Sequence, residues 1–113
     1  MSDAKHLDLP EEDMQIVAGI LSSRLPDRPV YVFGSRATGS ARRRSDLDLA
    51  VGGTMPLTLR QRALLNDDFS ESDLPIFVDV VDLNVIDPNF RRRIERDFIM
   101  IQPGTAKAEE AAA

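Results

Sequence analysis

The sequence predicts one small α/β (α+β) domain in which helices alternate with the strands of a β-sheet. Its 113 residues are enough for a single domain, and its 42% hydrophobic and 29% charged residues are typical of a folded globular chain. Helical and strand-like patterns alternate from residue 10 to residue 101, with no internal repeat. A chain this short buries a modest core, so contact with a partner would help to stabilise it.

The first two predicted elements are a helix at residues 10–25 and a strand at residues 30–33. Pro10 suits the first turn of a helix, and the acidic residues after it lie where the helix dipole favours negative charge. Apolar residues then recur at helical spacing, namely Ile16, Val17, Ile20 and Leu21. The strand is a β-branched and aromatic run that stops at Gly34.

Five more elements complete the predicted domain, which spans residues 1–102. They are a strand at 47–51, a helix at 56–69, a strand at 76–83, a helix at 87–98 and an edge strand at 99–101. The third strand is rich in Val and Ile, and Asp87 with Pro88 indicates an N-cap followed by a first-turn proline. Residues 103–113 are mostly small and are predicted to form a disordered tail.

The composition excludes several kinds of site. The chain has no cysteine, which excludes disulfides and thiolate metal sites. Its single histidine, His6, is expected at the surface and cannot supply a multi-histidine metal site. No apolar run approaches the roughly 20 residues of a membrane helix and no signal-peptide pattern opens the chain, so we expect a cytoplasmic protein.

The charge argues against general binding of nucleic acid. The formal net charge is −5, whereas attraction to a phosphate backbone needs a basic surface. Two arginine clusters, at residues 42–44 and at 91–93 with Arg96, still allow local contacts with phosphate or with an acidic partner. A solvated loop and a solvated helix face are the simpler interpretations of these clusters.

Two aspartates at the start of the second strand are the main candidates for chemistry. Side chains alternate along a strand, so Asp46 and Asp48 share one face with Cα atoms about 7 Å apart, while Leu47 and Leu49 face the core. Two carboxylates this close raise each other's pKa unless a cation lies between them. Magnesium prefers such oxygen ligands together with substrate phosphates, so the pair predicts a magnesium site, with a second ion as in two-metal centres.

A third carboxylate is expected from the strand at 76–83, as a ligand or as the base for an incoming hydroxyl. Alternation puts Asp79 and Asp82 on opposite faces, so only one of them can join Asp46 and Asp48. We choose Asp79, because a buried mid-strand charge would be costly without a metal. Asp82 lies near the strand end, where solvent is expected to reach it.

The turn after the first strand is predicted to bind phosphate. Gly34 lets the backbone approach closely, and the amide groups at a strand-to-helix turn attract anions. Ser35 adds a hydroxyl, and Arg36 could neutralise phosphate charge, with residues 42–44 as weaker candidates. Ser45, directly before the first aspartate, completes the predicted nucleotide-binding set.

The order of these residues resembles a known signature. Gly34-Ser35, ten residues and then Asp46-Leu47-Asp48 is similar to the motif of the DNA polymerase β-like nucleotidyltransferase superfamily. The run FGSRATGSARRRSDLDLAV resembles its minimal nucleotidyltransferase (MNT) branch, and FVDVVDLNVIDPNFRRRIERDFIMI resembles the third-carboxylate strand and closing helix. The likeness covers most of residues 30–101.

This resemblance implies a fold, a reaction and roles for named residues. The fold would be a mixed sheet flanked by helices, the nucleotidyltransferase fold. The reaction would be magnesium-dependent transfer of a nucleoside monophosphate, with ATP as the substrate. Asp46, Asp48 and Asp79 would be the catalytic metal ligands, and Gly34 and Ser35 would bind the phosphates.

The resemblance also implies a partner, because minimal members often pair with a helical HEPN-domain toxin and act as its antitoxin. Some of these pairs work by transferring AMP to a tyrosine of the toxin, which is the function we expect here. One alternative is an antitoxin that acts by binding and occlusion only. Another is a nucleotidyltransferase with a small-molecule or RNA acceptor, which the acidic charge and the lack of a second domain disfavour.

Overall fold

The computed structural model describes residues 7–105, which form four helices and four strands. In chain order they are α1 (Glu11–Arg24), β1 (Val30–Phe33), α2 (Ser35–Thr38), β2 (Leu47–Val51), α3 (Leu59–Glu71), β3 (Val78–Asp82), α4 (Pro88–Asp97) and β4 (Ile99–Gln102). The strands form one sheet in the order β3-β2-β1-β4. Only β2 and β3 run parallel, while β1 is antiparallel to both of its neighbours. The predicted α/β (α+β) class with a mixed sheet is confirmed.

The main core lies between one face of the sheet and the helices α1 and α3. Its strand residues include Leu47 and Leu49, which are fully buried as their alternation predicts. The helices contribute Val17, Leu21, Leu65 and Phe69. Because both helices cover this face, the carboxylates of β2 and β3 that point the other way stay outside the main core.

The opposite face carries a smaller cluster under α4. Ala50, Leu83 and Ile94 form its buried centre, and aromatic side chains pack around them. The Tyr31 and Phe98 rings stack with centroids 4.1 Å apart, and the Phe33 and Phe90 rings meet edge to face at 6.1 Å. Beside this cluster, Asp79 of β3 is exposed and Asp48 of β2 is half-buried.

Helix starts follow capping chemistry more closely than hydrophobic pattern. We predicted α3 from residue 56, but it begins at Leu59 because Thr58 and Gln61 form a capping box. The Thr58 hydroxyl accepts from the Gln61 amide at 3.0 Å, and the Gln61 side chain accepts from the Thr58 amide at 2.9 Å. The predicted cap of α4 is confirmed, since Asp87 accepts from the amides of Asn89 and Phe90.

The first residues of the predicted tail lie against the body of the domain. The Thr105 amide donates to the Asp27 carbonyl at 3.2 Å, so residues 103–105 follow the loop after α1 instead of leaving the domain. The rest of the predicted tail, at 106–113, and His6 lie outside the described residues.

Among residues 7–105 no helix is both long enough and apolar enough to span a membrane.

Candidate active site

The turn at Gly34 joins β1 to the four-residue helix α2, which we predicted only as a turn and polar loop. Gly34 has φ 76° and ψ −152°, a conformation almost restricted to glycine. A Cβ atom at this position would lie 2.5 Å from Oδ2 of Asp48. Glycine is therefore required both by the backbone conformation and by the close approach of the Asp48 carboxylate.

The register of the sheet places Asp79 beside Asp48. Phe33 pairs with Asp48 across β1 and β2, and Asp48 pairs with Asp79 across β2 and β3. Paired residues on neighbouring strands point to the same face of the sheet. The structure thus puts the side chains of Phe33, Asp48 and Asp79 in one row, with Asp46 one residue before β2.

Our reason for choosing Asp79 over Asp82 was wrong, although the face was right. Asp82 is only 2% exposed, and its carboxylate accepts from the amides of Leu57 at 2.6 Å and Asn84 at 2.9 Å. Asp79, by contrast, is exposed. Asp82 therefore fixes the segment between β2 and α3, and Asp79 is the carboxylate of β3 that solvent can reach.

The environment of Asp48 disfavours its negative charge. Burial raises the pKa of this carboxyl above its ordinary value, and the nearby carboxylates of Asp79 and Asp46 raise it further. Charge repulsion of this kind is relieved by a bound cation. The donor set consists only of hard oxygen atoms, which fits magnesium.

The carboxylates alone do not close a metal site. Within residues 7–105, no three acidic or histidine side chains are close enough to enclose an ion by themselves. Magnesium commonly takes one or two carboxylates from a protein and completes its coordination with water and substrate phosphates. The carboxylates of Asp46, Asp48 and Asp79 therefore suit a magnesium ion that is bound together with a nucleotide.

We expect the stability of the metal-free protein to depend on pH through Asp48. Because the pKa is raised in the folded state, the folded protein holds this proton more tightly than the unfolded chain, so deprotonation lowers stability. The loss begins near the ordinary value of 3.8 and is complete above the raised pKa. Asp48→Asn should therefore gain in Tm over the wild type as pH rises from about 4 to 7, measured in a chelator by thermal unfolding. A difference that stays constant with pH would contradict this.

Arg36 has a structural role and does not face the predicted phosphate site, which corrects our prediction. Its side chain is 5% exposed. The guanidinium donates to the carbonyls of Ser45 at 2.9 Å and Asp8 at 2.8 Å, and more weakly to those of Arg42 and Arg43. These bonds fix the loop at residues 42–45. Arg36 therefore acts on the site only by positioning Asp46, which directly follows that loop.

Arg36→Ala is expected to lower the free energy of unfolding by about 3 kcal/mol, because several partly buried hydrogen bonds to backbone carbonyls are lost at roughly 1–3 kcal/mol each. Chemical denaturation would measure the loss. Arg44→Ala removes an exposed arginine from the same loop and is the matched control, with an expected change below about 0.5 kcal/mol. Equal stability of the two variants would contradict the assigned role.

The two predicted serines differ in their surroundings. Ser45 Oγ accepts from the Arg42 amide at 2.7 Å and shapes the turn before β2. Ser35 opens α2, and its hydroxyl makes no hydrogen bond to any described residue. Both hydroxyls therefore keep an O–H that can donate to a phosphate, but only Ser45 Oγ also holds the backbone of its own turn.

Two surface hollows of the described chain are not lined by the aspartates of the carboxylate row. One of about 550 Å³ lies on α4 between Asn89 and Arg96, and one of about 470 Å³ lies between α3 and the start of β3. In the row itself, Asp46 and Asp79 are exposed and Asp48 is half-buried.

The chain matches a known family over most of its length. Residues 18–102 fit the family model described as "Polymerase beta, Nucleotidyltransferase". The chain is also 39% identical over 113 residues to a Haemophilus influenzae protein named "Probable protein adenylyltransferase MntA". That alignment covers 100% of this chain and 99% of the relative.

Two solved structures share the fold. A crystal structure of a toxin–antitoxin with AMP-PNP matches with a TM-score of 0.68 at 27% identity, over 88% of this chain and 80% of that one. A complex of tri-AMPylated Shewanella oneidensis HEPN toxin with MNT antitoxin matches with a TM-score of 0.64 at 23% identity, over 91% and 79%. The second likeness shows the fold alone.

Proposed function

The chain belongs to the polymerase β nucleotidyltransferase family, and on that basis we propose that it transfers AMP from ATP to a tyrosine of a HEPN-type toxin, as the antitoxin of the pair. The observation that carries the proposal is the row of Asp48 and Asp79 beside Gly34. The chain also resembles a protein named as an adenylyltransferase and a toxin–antitoxin complex that contains AMP-PNP. These likenesses support ATP as the donor and a toxin as the acceptor.

We assign the binding of the nucleotide to the turn and the carboxylates. Gly34 and the hydroxyl of Ser35 would contact the phosphates, while Asp46, Asp48 and Asp79 would hold magnesium together with those phosphates, as two ions if the site follows the two-metal pattern. When bound, magnesium neutralises phosphate charge and polarises the phosphorus–oxygen bonds. The raised pKa of Asp48 is consistent with this assignment, because a cation would remove the repulsion that causes it.

The proposed reaction is a substitution at the α-phosphorus of ATP. The tyrosine oxygen attacks the α-phosphorus of ATP, and the bond from that phosphorus to the bridging oxygen of pyrophosphate breaks, so pyrophosphate leaves with the electron pair. Asp79, exposed at the outer end of the row, accepts the phenolic proton as a general base. AMP then remains esterified to the tyrosine.

An open site favours a protein acceptor over a small molecule. Small-molecule sites are usually enclosed clefts that cover most of the ligand. The hollow on α4 and the one between α3 and β3 are not lined by Asp46, Asp48 or Asp79, and Asp46 and Asp79 are exposed. A protein acceptor would supply the missing walls itself.

We expect Asp79→Asn to lower the rate of AMP transfer by about 10²- to 10⁴-fold, the usual contribution of a general base. The assay mixes the chain with its HEPN partner, magnesium and α-labelled ATP, and follows label on the partner. Asp27→Asn is the control, because Asp27 is an exposed carboxylate at the opposite end of β1. Unchanged labelling by Asp79→Asn would overturn the assigned base.

A double variant at Asp46 and Asp48 distinguishes an antitoxin that acts by AMP transfer from one that acts by binding and occlusion only. If an Asp46→Asn/Asp48→Asn double variant transfers no AMP yet still protects cells from the partner, then binding alone neutralises the toxin. Loss of protection together with loss of transfer would support the enzymatic antitoxin.

A further inference from the structure

The outer edge of β3 lies beside an apolar groove that the proposed reaction does not use. β3 is a terminal strand of the sheet. The groove, of about 470 Å³, is lined by Phe69 of α3 and by Leu74, Ile76 and Phe77 of the segment that leads into β3. Phe77 is 81% exposed, which is unusual for an aromatic side chain.

The backbone of β3 offers pairing groups at this edge. The Leu47 amide donates to the Phe77 carbonyl and the Leu83 amide donates to the Val51 carbonyl, each at 2.9 Å. In a parallel pair the bonding residues alternate, so Val78 and Val80 point their amides and carbonyls away from β2. The Arg62 guanidinium donates a hydrogen bond to the Val80 carbonyl at 3.3 Å. The pairing groups next to the groove are therefore those of Val78.

A strand added at this edge would extend the row that contains the active carboxylates. Its residue opposite Asp79 would point to the same face, on a strand about 4.8 Å away, and its two neighbours in sequence would point toward the groove. Phe77 shares the face of Asp79 and lies diagonal to that residue, within reach of an aromatic ring.

We propose that the edge of β3 binds an extended segment of the acceptor protein, with the modified tyrosine opposite Asp79 and an apolar neighbour in the groove. Pairing of an extended peptide with a free strand edge is a general mode of recognition, in which main-chain bonds give affinity and alternate side chains give specificity. The proposal rests on the proposed function, since it names how that acceptor is held.

The charge around the groove indicates which residues the bound segment of the acceptor should contain. Asp67, Glu71 and Asp73 are exposed and adjoin the lining residues in sequence, and Asp79 and Asp46 lie on the side of the active site. Among these five, none forms an ion pair within the described chain. A segment with lysine or arginine close to its tyrosine is therefore complementary to this rim.

Val78→Pro tests the pairing itself. Val78 is the first residue of β3 and its amide points outward, which is one of the few strand positions that accept proline. The bonds between β2 and β3 should survive, whereas the amide needed by an added strand is lost. Val78→Ala controls for the loss of the valine side chain, and the Tm of both variants shows that they fold.

Phe77→Ser tests the aromatic contact, and its matched control is Leu59→Ser, because Leu59 is an apolar side chain that is 88% exposed at the other end of α3.

Transfer of AMP is measured to the HEPN partner and, separately, to N-acetyltyrosinamide at high concentration. Val78→Pro and Phe77→Ser should raise KM and Kd for the partner at least about tenfold. The kcat for N-acetyltyrosinamide should stay within about twofold of the wild type in both variants, although Phe77→Ser should raise its KM because the tyrosine ring loses the contact with Phe77. Both controls should stay within about twofold of the wild type with either acceptor.

The outcomes separate this proposal from the proposed function. If the two variants bind the partner as the wild type does, or if Arg96→Glu on α4 weakens binding instead, docking at β3 is overturned. If the wild type labels neither acceptor, the proposed function fails, and Kd for the partner still decides whether β3 is the docking edge. A fall in kcat for N-acetyltyrosinamide would mean that the substitutions disturb the catalytic residues and would also overturn the docking role.

Discussion

Asp48→Asn is expected to lower ATP-dependent transfer of AMP at least about 100-fold, while making the metal-free protein more stable at neutral pH. The loss follows from the several kcal/mol that a properly held metal ion contributes to a transition state. The gain follows from the site itself. Asp48 is partly buried next to Asp79 and Asp46, and all three effects raise its pKa, so the folded protein keeps this carboxylate charged only at a cost.

Opposite effects on activity and stability distinguish a ligand from a structural residue. Thermal unfolding should show that magnesium and ATP raise the Tm of the wild type but not of Asp48→Asn, since binding stabilises only a folded state that can bind. Asp82→Asn provides the contrast, because Asp82 is buried and accepts from two backbone amides. That variant should lose stability with or without the nucleotide. A stabilised Asp48→Asn variant that still transferred AMP at the normal rate would remove Asp48 from the ligand set.

Local patterns in the sequence were sufficient to predict most elements and the face of the site. The alternation of Leu47 and Leu49 with Asp46 and Asp48 fixed which side of β2 faces the core, since strand geometry leaves no other arrangement. The cap at Asp87 was equally local, because both donors lie within three residues of it. Features of this kind depend on spacing along the chain, which the sequence displays directly.

The roles that the sequence did not predict all depend on distant backbone groups. Arg36 is held by carbonyls from Asp8 and from residues 42–45, and Asp82 is held partly by the amide of Leu57. Backbone carbonyls and amides occur at nearly every position, so no residue type marks the ones that a charged side chain will find. Arg36 therefore looked like a phosphate ligand, and Asp82 looked like a solvated strand end.

The placement of Asp79 lies between these two cases. Alternation showed that only one aspartate of β3 could share the face of Asp48, but it could not show that β3 lies next to β2 or runs parallel to it. Pairing of Asp48 with Asp79 requires that order and that register, and a shift of one residue would turn Asp82 to the site instead. The family resemblance implied Asp79 as the third carboxylate, but the strand order and the register come from the structure alone, because the sequence pattern of one strand contains nothing about its neighbour.

Gly34→Ala is expected to reduce both stability and transfer, and it has the second largest effect that we predict. The backbone conformation at Gly34 is almost closed to other residues, which costs about 1–3 kcal/mol, and the new Cβ would lie 2.5 Å from the Asp48 carboxylate. Relief of that contact requires Asp48 or the turn to move. Because displacements of about 1 Å at a reacting centre can lower rates about 100-fold, we expect a loss of that size in AMP transfer.

Gly39→Ala separates backbone strain from the contact with Asp48. Gly39 also has a positive φ, of 83°, but a Cβ there would meet no atom within 4 Å. It ends α2 in the left-handed region, where alanine costs about 1–2 kcal/mol. Gly39→Ala should therefore lower the Tm yet keep the rate of transfer by the folded protein near that of the wild type. If both variants lost activity equally, strain in the turn around α2 would explain the requirement for glycine. If only Gly34→Ala lost activity, glycine at this turn would be needed because a Cβ atom there would displace the Asp48 carboxylate.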